Sequence, residues 1–150
     1  MFMNLFLGLS TMIVCLFLQS LLLLTALRYY SKHGYLVNNP SFISSMVVID
    51  VVMLLLVIGN LMQIGLWALL FMFVGEFQLF SEAFYHSAVN FATLGYGDFV
   101  MSAEHKLLGP LEAVNGVLMI GVSTAVLMAS FQDAMKKTMQ ARRHNMSEKK

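Results

Sequence analysis

The sequence predicts an all-α membrane protein in which three transmembrane helices accompany one short re-entrant helix and a loop. Of the 150 residues, 59% are hydrophobic and 11% are charged, a balance typical of membrane proteins. Three apolar runs each reach the roughly 20 residues that cross a bilayer. A fourth apolar segment is too short to cross and leads into a glycine-containing hexapeptide, so we expect a segment that enters and leaves the membrane on one side.

The first two spans are predicted at Leu5–Leu27, which carries no charge, and at Met46–Val74, in which Asp50 is the one charged residue. The first run lacks the basic flank of a secretory signal and is too long for its apolar region, so we interpret it as a retained helix. The third span, Leu111–Phe131, carries Glu112 at its outer edge and is otherwise uncharged. These runs account for three crossings.

The distribution of lysine and arginine predicts the orientation of these spans. Arg28 and Lys32 fall in the first connection, whereas Lys106 is the one such residue between the second and third spans. Six more follow the third span: Lys136, Lys137, Arg142, Arg143, Lys149 and Lys150. Because basic segments stay on the cytoplasmic side, we expect the C-terminus inside, and the N-terminus and residues 75–110 outside. The short loops favour a bacterial inner (plasma) membrane.

The segment Ser81–Ala92 predicts a short helix because it contains no Gly or Pro. Ser81 is suited to cap this helix, and Glu82 is favourable in its first turn. Twelve residues rise only about 18 Å, too little to span the membrane. The helix should therefore enter the outer half and return, and its C-terminal end, with roughly half a negative charge, would favour a cation.

The hexapeptide that follows, from Thr93 to Asp98, is suited to line a narrow pore with backbone oxygen. Extended backbone points successive carbonyls to opposite sides, so pointing them all at one axis requires alternate residues to adopt mirror-image dihedrals. Gly95 and Gly97 stand two apart, and glycine adopts positive φ at little cost. Non-helical backbone is tolerated at membrane depth only where it is buried in protein or lines a watery path, which makes this loop the candidate site.

The string T-x-G-Y-G-D, set between a re-entrant helix and an inner helix, resembles the pore module of potassium channels over about Ile64–Phe131. The resemblance implies a homotetramer in which four copies of the loop form one selectivity filter. The carbonyl ligands that it assigns to K⁺ belong to Thr93, Leu94, Gly95 and Tyr96. Gly97 would turn the strand outward. The implied activity is passive K⁺ conduction, with no enzymatic step and no cofactor besides the permeant ion.

The resemblance also implies roles for residues around the filter. Asp98 and Glu104 would attract cations at the outer mouth. Filter support from the re-entrant helix would come from Tyr85, His86 and Val89. For His86 we favour a hydrogen bond behind the filter, and the alternative is a pH-dependent influence on gating.

In the third span, Gly116 and Gly121 are candidates for the bend at which inner helices of this family splay, and Gly121 fits better by its position. The alternative, held equally, is that both glycines serve only close helix packing. Ser123, Thr124 and Ala125 follow, and they are small enough to be candidates for lining a cavity.

We divide the chain into an N-terminal helix with its connection, residues 1–40, a pore module, 41–131, and a basic cytoplasmic tail, 132–150. The first helix has no lysine or arginine before Arg28, so it is not a voltage sensor. We expect it to pack on the lipid side of the second span. The tail is partly helical by pattern and would lie near anionic lipid. No phosphate-loop pattern occurs, so neither nucleotide nor nucleic acid is an expected partner.

Asp50 needs a partner because a polar group in hydrocarbon is costly. We favour an ion pair or hydrogen bond, for which Arg28, Lys32 or interfacial water is within reach, and the alternative is a role in gating or proton sensing.

Other functions would use the same residues. GxGD-type intramembrane aspartyl proteases pair two aspartates, and Gly95–Asp98 with Asp50 imitates their motif. In a bilayer core about 30 Å thick, however, these two carboxylates would lie about 25 to 30 Å apart. The remaining alternatives are a weakly selective cation channel and a non-conducting accessory membrane subunit. Leu94 stands where the family usually has Val or Ile, and we expect K⁺ preference to survive that change.

Overall fold

The computed structural model describes residues 1–37 and 41–147, apart from the side chain of His144. Within these residues the chain forms helices joined by turns and loops, without strands. The helices are α1 (Phe2–Lys32), α2 (Gly34–Val37), α3 (Phe42–Phe73), α4 (Phe80–Phe91) and α5 (Leu108–Ser147). The basic residues Lys149 and Lys150, and positions 38–40 of the first connection, lie outside the described residues.

The helices α1, α3 and α5 are each long and apolar enough to cross a membrane, which confirms the three predicted spans. They contain 31, 32 and 40 residues, and at about 1.5 Å per residue each exceeds the thickness of the hydrocarbon core. The helix α5 continues through the predicted tail as far as Ser147. The tail is therefore a continuation of the inner helix over its described length.

The short helix α4 has the predicted length of 12 residues but begins one residue earlier than expected, at Phe80. The predicted cap at Ser81 is wrong. Leu79 occupies the capping position with an extended backbone, and no side chain caps the helix. Glu82 does lie in the first turn, where its charge is favourable.

The chain folds as two compact units. Unit one comprises Met1–Ser20 and Ile58–Gly121, and it holds α4 and the hexapeptide loop. Unit two comprises Leu21–Val57 and Val122–Lys150, except for the positions outside the described residues.

In unit one, α1 packs against both α3 and α5. Between α3 and α1, the side-chain amide Nε2 of Gln63 donates a hydrogen bond to Gln19 Oε1 at 2.7 Å. A methyl group at Gly8 would meet Leu111 Cδ1 at 2.5 Å, so α1 and α5 approach closely there. Cys15 is fully buried in the same core. The contact with α3 was predicted and is confirmed, whereas the contact with α5 was not predicted.

Unit two is held by an apolar core and by polar contacts near the ends of its helices. Tyr30 Oη donates to Asp133 Oδ2 at 2.8 Å, and Lys137 pairs with the same carboxylate at 2.7 Å.

Asp50 is exposed and forms neither an ion pair nor a side-chain hydrogen bond within the described residues. The predicted pairing of Asp50 with Arg28 or Lys32 is therefore wrong, because the carboxylate is exposed about two turns from the start of α3, within reach of interfacial water.

Candidate functional site

The loop that follows α4 has a backbone of alternating handedness. Thr93, Gly95 and Gly97 have φ values of 58°, 63° and 79°, whereas no positive φ occurs at the intervening Leu94 and Tyr96. The alternation that the two glycines predict is present, and Thr93 extends it by one step. A side chain in the left-handed region costs roughly 1–2 kcal/mol, so Thr93 needs its surroundings to hold it there.

We call the loop 93–98 the pore strand, although it is not paired in a β-sheet. Its entrance is held by the backbone of α4. Thr93 N donates to Asn90 O at 2.9 Å, and Leu94 N donates to Val89 O at 2.9 Å. Two consecutive amides are thus fixed on two consecutive carbonyls at the end of the helix. These bonds determine the conformation at Thr93, and they place the buried Val89 directly behind the start of the strand.

The exit of the strand is held by side chains of α4. Tyr85 Oη donates to Asp98 Oδ2 at 2.8 Å, and His86 Nδ1 bonds to Phe99 O at 3.0 Å. Two neighbouring residues of the helix therefore hold two neighbouring residues of the loop. The strand between them is anchored at both ends on a single helix.

His86 makes two hydrogen bonds that fit an uncharged ring. The carbonyl of Phe99 can only accept, so Nδ1 carries the proton, and Nε2 accepts from Asn90 Nδ2 at 2.9 Å. The rings of Phe71 and Phe77 lie with centroids 5.4 and 5.0 Å from the imidazole. Burial lowers the pKa of His86, and the bond to Phe99 only partly opposes it. This geometry supports the hydrogen-bonding interpretation.

The side chains of the strand are open to one side in the single chain. Leu94 and Tyr96 are 54% and 63% exposed, and Asp98 and Glu104 are exposed as well. A cavity of about 450 Å³ lies beside the strand, lined from α4 by Val89 and from α5 by residues around Gly109. One chain therefore supplies the support behind the loop but not a closed path in front of it.

A carboxylate cluster that the sequence did not predict holds the segment after the loop. Glu76 Oε1 accepts from His105 Nδ1 at 2.6 Å and from Ser102 Oγ at 2.5 Å, and Oε2 accepts from Ser102 N at 2.8 Å. Burial opposes ionisation of Glu76, but these hydrogen bonds outweigh it and lower its pKa. Ser102 and His105 both contact the carboxylate rather than each other, which is the arrangement of a structural clamp.

The two candidate hinge glycines differ in their surroundings. A Cβ atom on Gly116 would overlap the backbone carbonyl of Phe91 at the end of α4, whereas a Cβ on Gly121 would meet nothing within 4 Å. Gly116 thus permits close packing of α5 on α4. Farther along α5, Ser123 is buried, and Thr124 and Ala125 are exposed.

The described fold and site define a class of protein. The short helix α4 leads into a loop of alternating handedness, between two helices that can cross a membrane, and this is the architecture of an ion channel pore in an integral membrane protein. The family model Ion_trans_2, described as an ion channel, matches residues 47–133, more than half of the chain. The chain belongs to this ion channel family. Comparison with curated proteins and with solved structures gives no match.

Proposed function

We propose that the protein is the subunit of a homotetrameric, potassium-selective channel. The observation that carries this proposal is the alternating left-handed backbone at Thr93, Gly95 and Gly97 within the string TLGYGD. Alternation of this kind turns successive carbonyl groups toward one side, where their oxygens can replace the hydration shell of an ion.

Ion coordination in this proposal is entirely by backbone. The ligands are the carbonyl oxygens of Thr93, Leu94, Gly95 and Tyr96. At about 3.3 Å per residue, four carbonyl steps span roughly 13 Å, enough for several dehydrated ions in single file. Repulsion between neighbouring ions promotes exit, and the C-terminal end of α4 adds a partial negative charge at the inner end. The path is passive, so the proposal includes no enzymatic step and no cofactor.

The open side of the strand supports the proposal of a homotetramer. A ring of carbonyls around an ion requires several copies, and exposed Leu94 and Tyr96 side chains at membrane depth require cover. An oligomer with closed symmetry about one axis supplies both the ring of carbonyls and the cover for these side chains. Four copies of Asp98 and Glu104 would then concentrate cations at the outer mouth.

The remaining parts of the proposal concern gating and placement. Gly121 is the better hinge, since Gly116 is occupied by packing. Thr124 and Ala125, which are exposed, are proposed to line the inner cavity, whereas Ser123 is buried within the subunit and does not face it. The C-terminus is proposed to be cytoplasmic and the N-terminus outside, in a bacterial inner membrane, with the basic end of α5 near anionic lipid. Residues 1–40, 41–131 and 132–150 serve as anchor, pore and tail.

A weakly selective cation channel is the second candidate. The observation that favours it is Leu94, an unbranched-Cβ residue in place of Val or Ile, which is 54% exposed in the single chain and so lacks support from its own subunit. The rigidity of the filter at this step would then depend on the neighbouring copy.

Tracer uptake into proteoliposomes tests the proposal. With an outward K⁺ gradient, Rb⁺ uptake should exceed Na⁺ uptake and should be blocked by Ba²⁺. Equal uptake of the two ions would instead support the weakly selective channel. Absence of flux from a tetrameric preparation would support an accessory subunit, and cleavage of a membrane peptide without flux would support a protease.

Two matched glycine variants sharpen this test. Gly95→Ala and Gly75→Ala each place a methyl group on left-handed backbone, at φ of 63° and 81°, and neither new Cβ meets an atom within 4 Å. The strain is thus comparable, but only Gly95 lies in the pore loop. We expect Gly95→Ala to abolish the preference for Rb⁺ over Na⁺ and Gly75→Ala to retain it. Equal preference in both variants would contradict the assignment of the filter.

A further inference from the structure

A buried polar site lies behind the pore loop, where three helices of unit one meet. It consists of Ser87 on α4, Glu112 on α5 and the backbone carbonyl of Ile64 on α3, and we call it the Ser87–Glu112 site. Both side chains are 0% exposed. Ser87 Oγ lies 2.8 Å from Ile64 O, and the same Oγ is hydrogen-bonded to Glu112 Oε1.

Counting protons in this site indicates the ionisation state of Glu112. A serine hydroxyl has one hydrogen to donate, and the Ile64 carbonyl can only accept. When Ser87 donates to Ile64, its oxygen must act as acceptor toward Glu112. That second bond then requires a hydrogen on Glu112 Oε1, which only the neutral carboxylic acid carries.

The surroundings of Glu112 also favour the neutral acid. Among the described residues no cation pairs with this carboxyl, and Glu112 Oε2 has no partner at hydrogen-bond geometry. The side-chain amide of Asn90 also interacts with the carboxyl, but it carries no charge that could balance a carboxylate. The titratable groups that face it are Cys15 from α1 and, beyond Asn90, His86 from α4, while α3 presents the Ile64 carbonyl. A buried charge without a partner is far more costly than a buried neutral group.

We propose that Glu112 holds a proton at neutral pH and that this proton joins the inner helix α5 to the pore helix α4, so that its loss at alkaline pH weakens the support of the filter. With the proton, Glu112 donates to Ser87 and Ser87 donates to Ile64, which links three helices in one chain of hydrogen bonds. Without it, one serine hydrogen faces two acceptors, and one helix contact is lost.

The consequence for conduction follows from the position of Ser87. It adjoins His86, which holds Phe99 at the exit of the strand, and lies two residues from Val89, which holds Leu94 at its entrance. A change in the seating of α4 therefore reaches both anchors of the strand. This consequence for flux rests on the proposed channel function, whereas the protonation of Glu112 does not.

Infrared spectroscopy of the purified protein tests the proton directly. At pH 7 we expect a C=O stretching band of a protonated carboxyl group that shifts in D₂O and is absent in Glu112→Gln. The control Glu82→Gln, which removes a carboxylate from the first turn of α4, should retain the band. A wild-type spectrum without the band, or a Glu112→Gln spectrum with the full band, would overturn the proposal.

A second variant serves if Glu112→Gln fails to fold. Ser87→Ala removes the acceptor but leaves the acid, so the band should remain and move to higher frequency as its hydrogen bond is lost. A band at unchanged frequency in Ser87→Ala would contradict the assignment to Glu112.

Tracer flux tests the second part of the proposal, that the proton on Glu112 influences conduction. Glutamine keeps a donor toward Ser87 but cannot ionise, so Rb⁺ uptake by Glu112→Gln should persist at alkaline pH where wild-type uptake falls. An identical fall in both proteins would overturn the regulatory role. If neither protein conducts at any pH, the channel function itself fails, and the infrared result still decides the protonation of Glu112.

Discussion

The two ends of the pore strand are held by different parts of α4. At the entrance, Thr93 and Leu94 are bound by backbone carbonyls of Asn90 and Val89. At the exit, the loop is bound by side chains, with Tyr85 on Asp98 and His86 on Phe99. Hydrogen bonds between backbone groups persist through most substitutions, whereas a side-chain hydrogen bond is lost when a substitution removes its donor or acceptor atom. The entrance should therefore be sensitive to packing on α4, and the exit to side-chain chemistry and pH.

The largest effect is expected from Gly116→Ala, which acts on the entrance. The new methyl group would overlap the carbonyl of Phe91, directly after Val89 and Asn90, whose carbonyls hold the strand. Overpacking costs about 1–3 kcal/mol where side chains can adjust, and backbone adjusts less, so we expect at least that loss. Thermal unfolding and gel filtration in detergent measure it.

Gly121→Ala is the matched control for this prediction, because it introduces the same group in the same helix where nothing lies within 4 Å. It should leave the unfolding temperature unchanged or raise it, since alanine favours a helix by about 1 kcal/mol over glycine. Equal stability of the two variants would show that the close approach at Gly116 does not matter.

The next effect is expected at the exit, from Tyr85→Phe. Loss of the hydroxyl removes the bond to Asp98 and little else, and a hydrogen bond to a charged group contributes less where water competes for it than where it is buried. This pair is exposed, so we expect a smaller loss. The fold should persist while selectivity for Rb⁺ over Na⁺ falls in tracer uptake.

Tyr35→Phe is the control, because Tyr35 is 69% exposed and lies outside the pore module's loop. It should conduct with unchanged selectivity. If Tyr85→Phe behaves in the same way, the exit does not depend on the bond to Asp98.

The sequence predicted the local part of this arrangement and missed the parts that depend on distant packing. Gly95 and Gly97 predict a backbone of alternating handedness, because the conformational freedom of glycine is a property of the residue itself. The Ser87–Glu112 site joins residues 25 apart on different helices, and neither residue carries a local signal of its partner. The same holds for Glu76, whose partners follow 26 and 29 residues later.

Local rules also failed where tertiary structure displaced them. Ser81 has the chemistry of a helix cap, but α4 begins one residue before it, because Leu79 already provides the extended backbone from which the helix starts. Asp50 was expected to need a partner inside its span, but it lies exposed on α3. Gly116 and Gly121 look alike in sequence, and only the neighbouring carbonyl of Phe91 distinguishes them.

A smaller, pH-dependent effect is expected from His86→Phe. The neutral ring donates to Phe99 and accepts from Asn90, so protonation would set two donors, Nε2–H and Asn90 Nδ2, against each other. Burial lowers the pKa of His86, so the native contacts are retained at neutral pH and weaken only on acidification. Open probability measured from about pH 5.5 to 8 should fall toward acid in the wild type and stay level in His86→Phe. If open probability in His86→Phe falls toward acid as much as in the wild type, the interpretation of His86 as a pH sensor is wrong.

The smallest effect is expected from Glu76→Gln, which tests whether the segment beyond the exit adds to its stability. The pKa of Glu76 is lower in the folded protein than its ordinary value, because hydrogen bonds from Ser102 and His105 outweigh the cost of burial. A carboxyl group with a lowered pKa stabilises the fold above its unfolded-state pKa, and that stability is lost as the pH falls through the folded-state value. The wild type should therefore unfold at a higher temperature than Glu76→Gln at pH 7, and the difference should shrink on acidification below the ordinary carboxylate range. Glu104→Gln, an exposed carboxylate in the same segment, should show no such convergence. If the difference in unfolding temperature between wild type and Glu76→Gln is the same at all pH values, the charge of Glu76 does not stabilise its contacts with Ser102 and His105. Any pH response at the exit of the strand would then come from His86 alone.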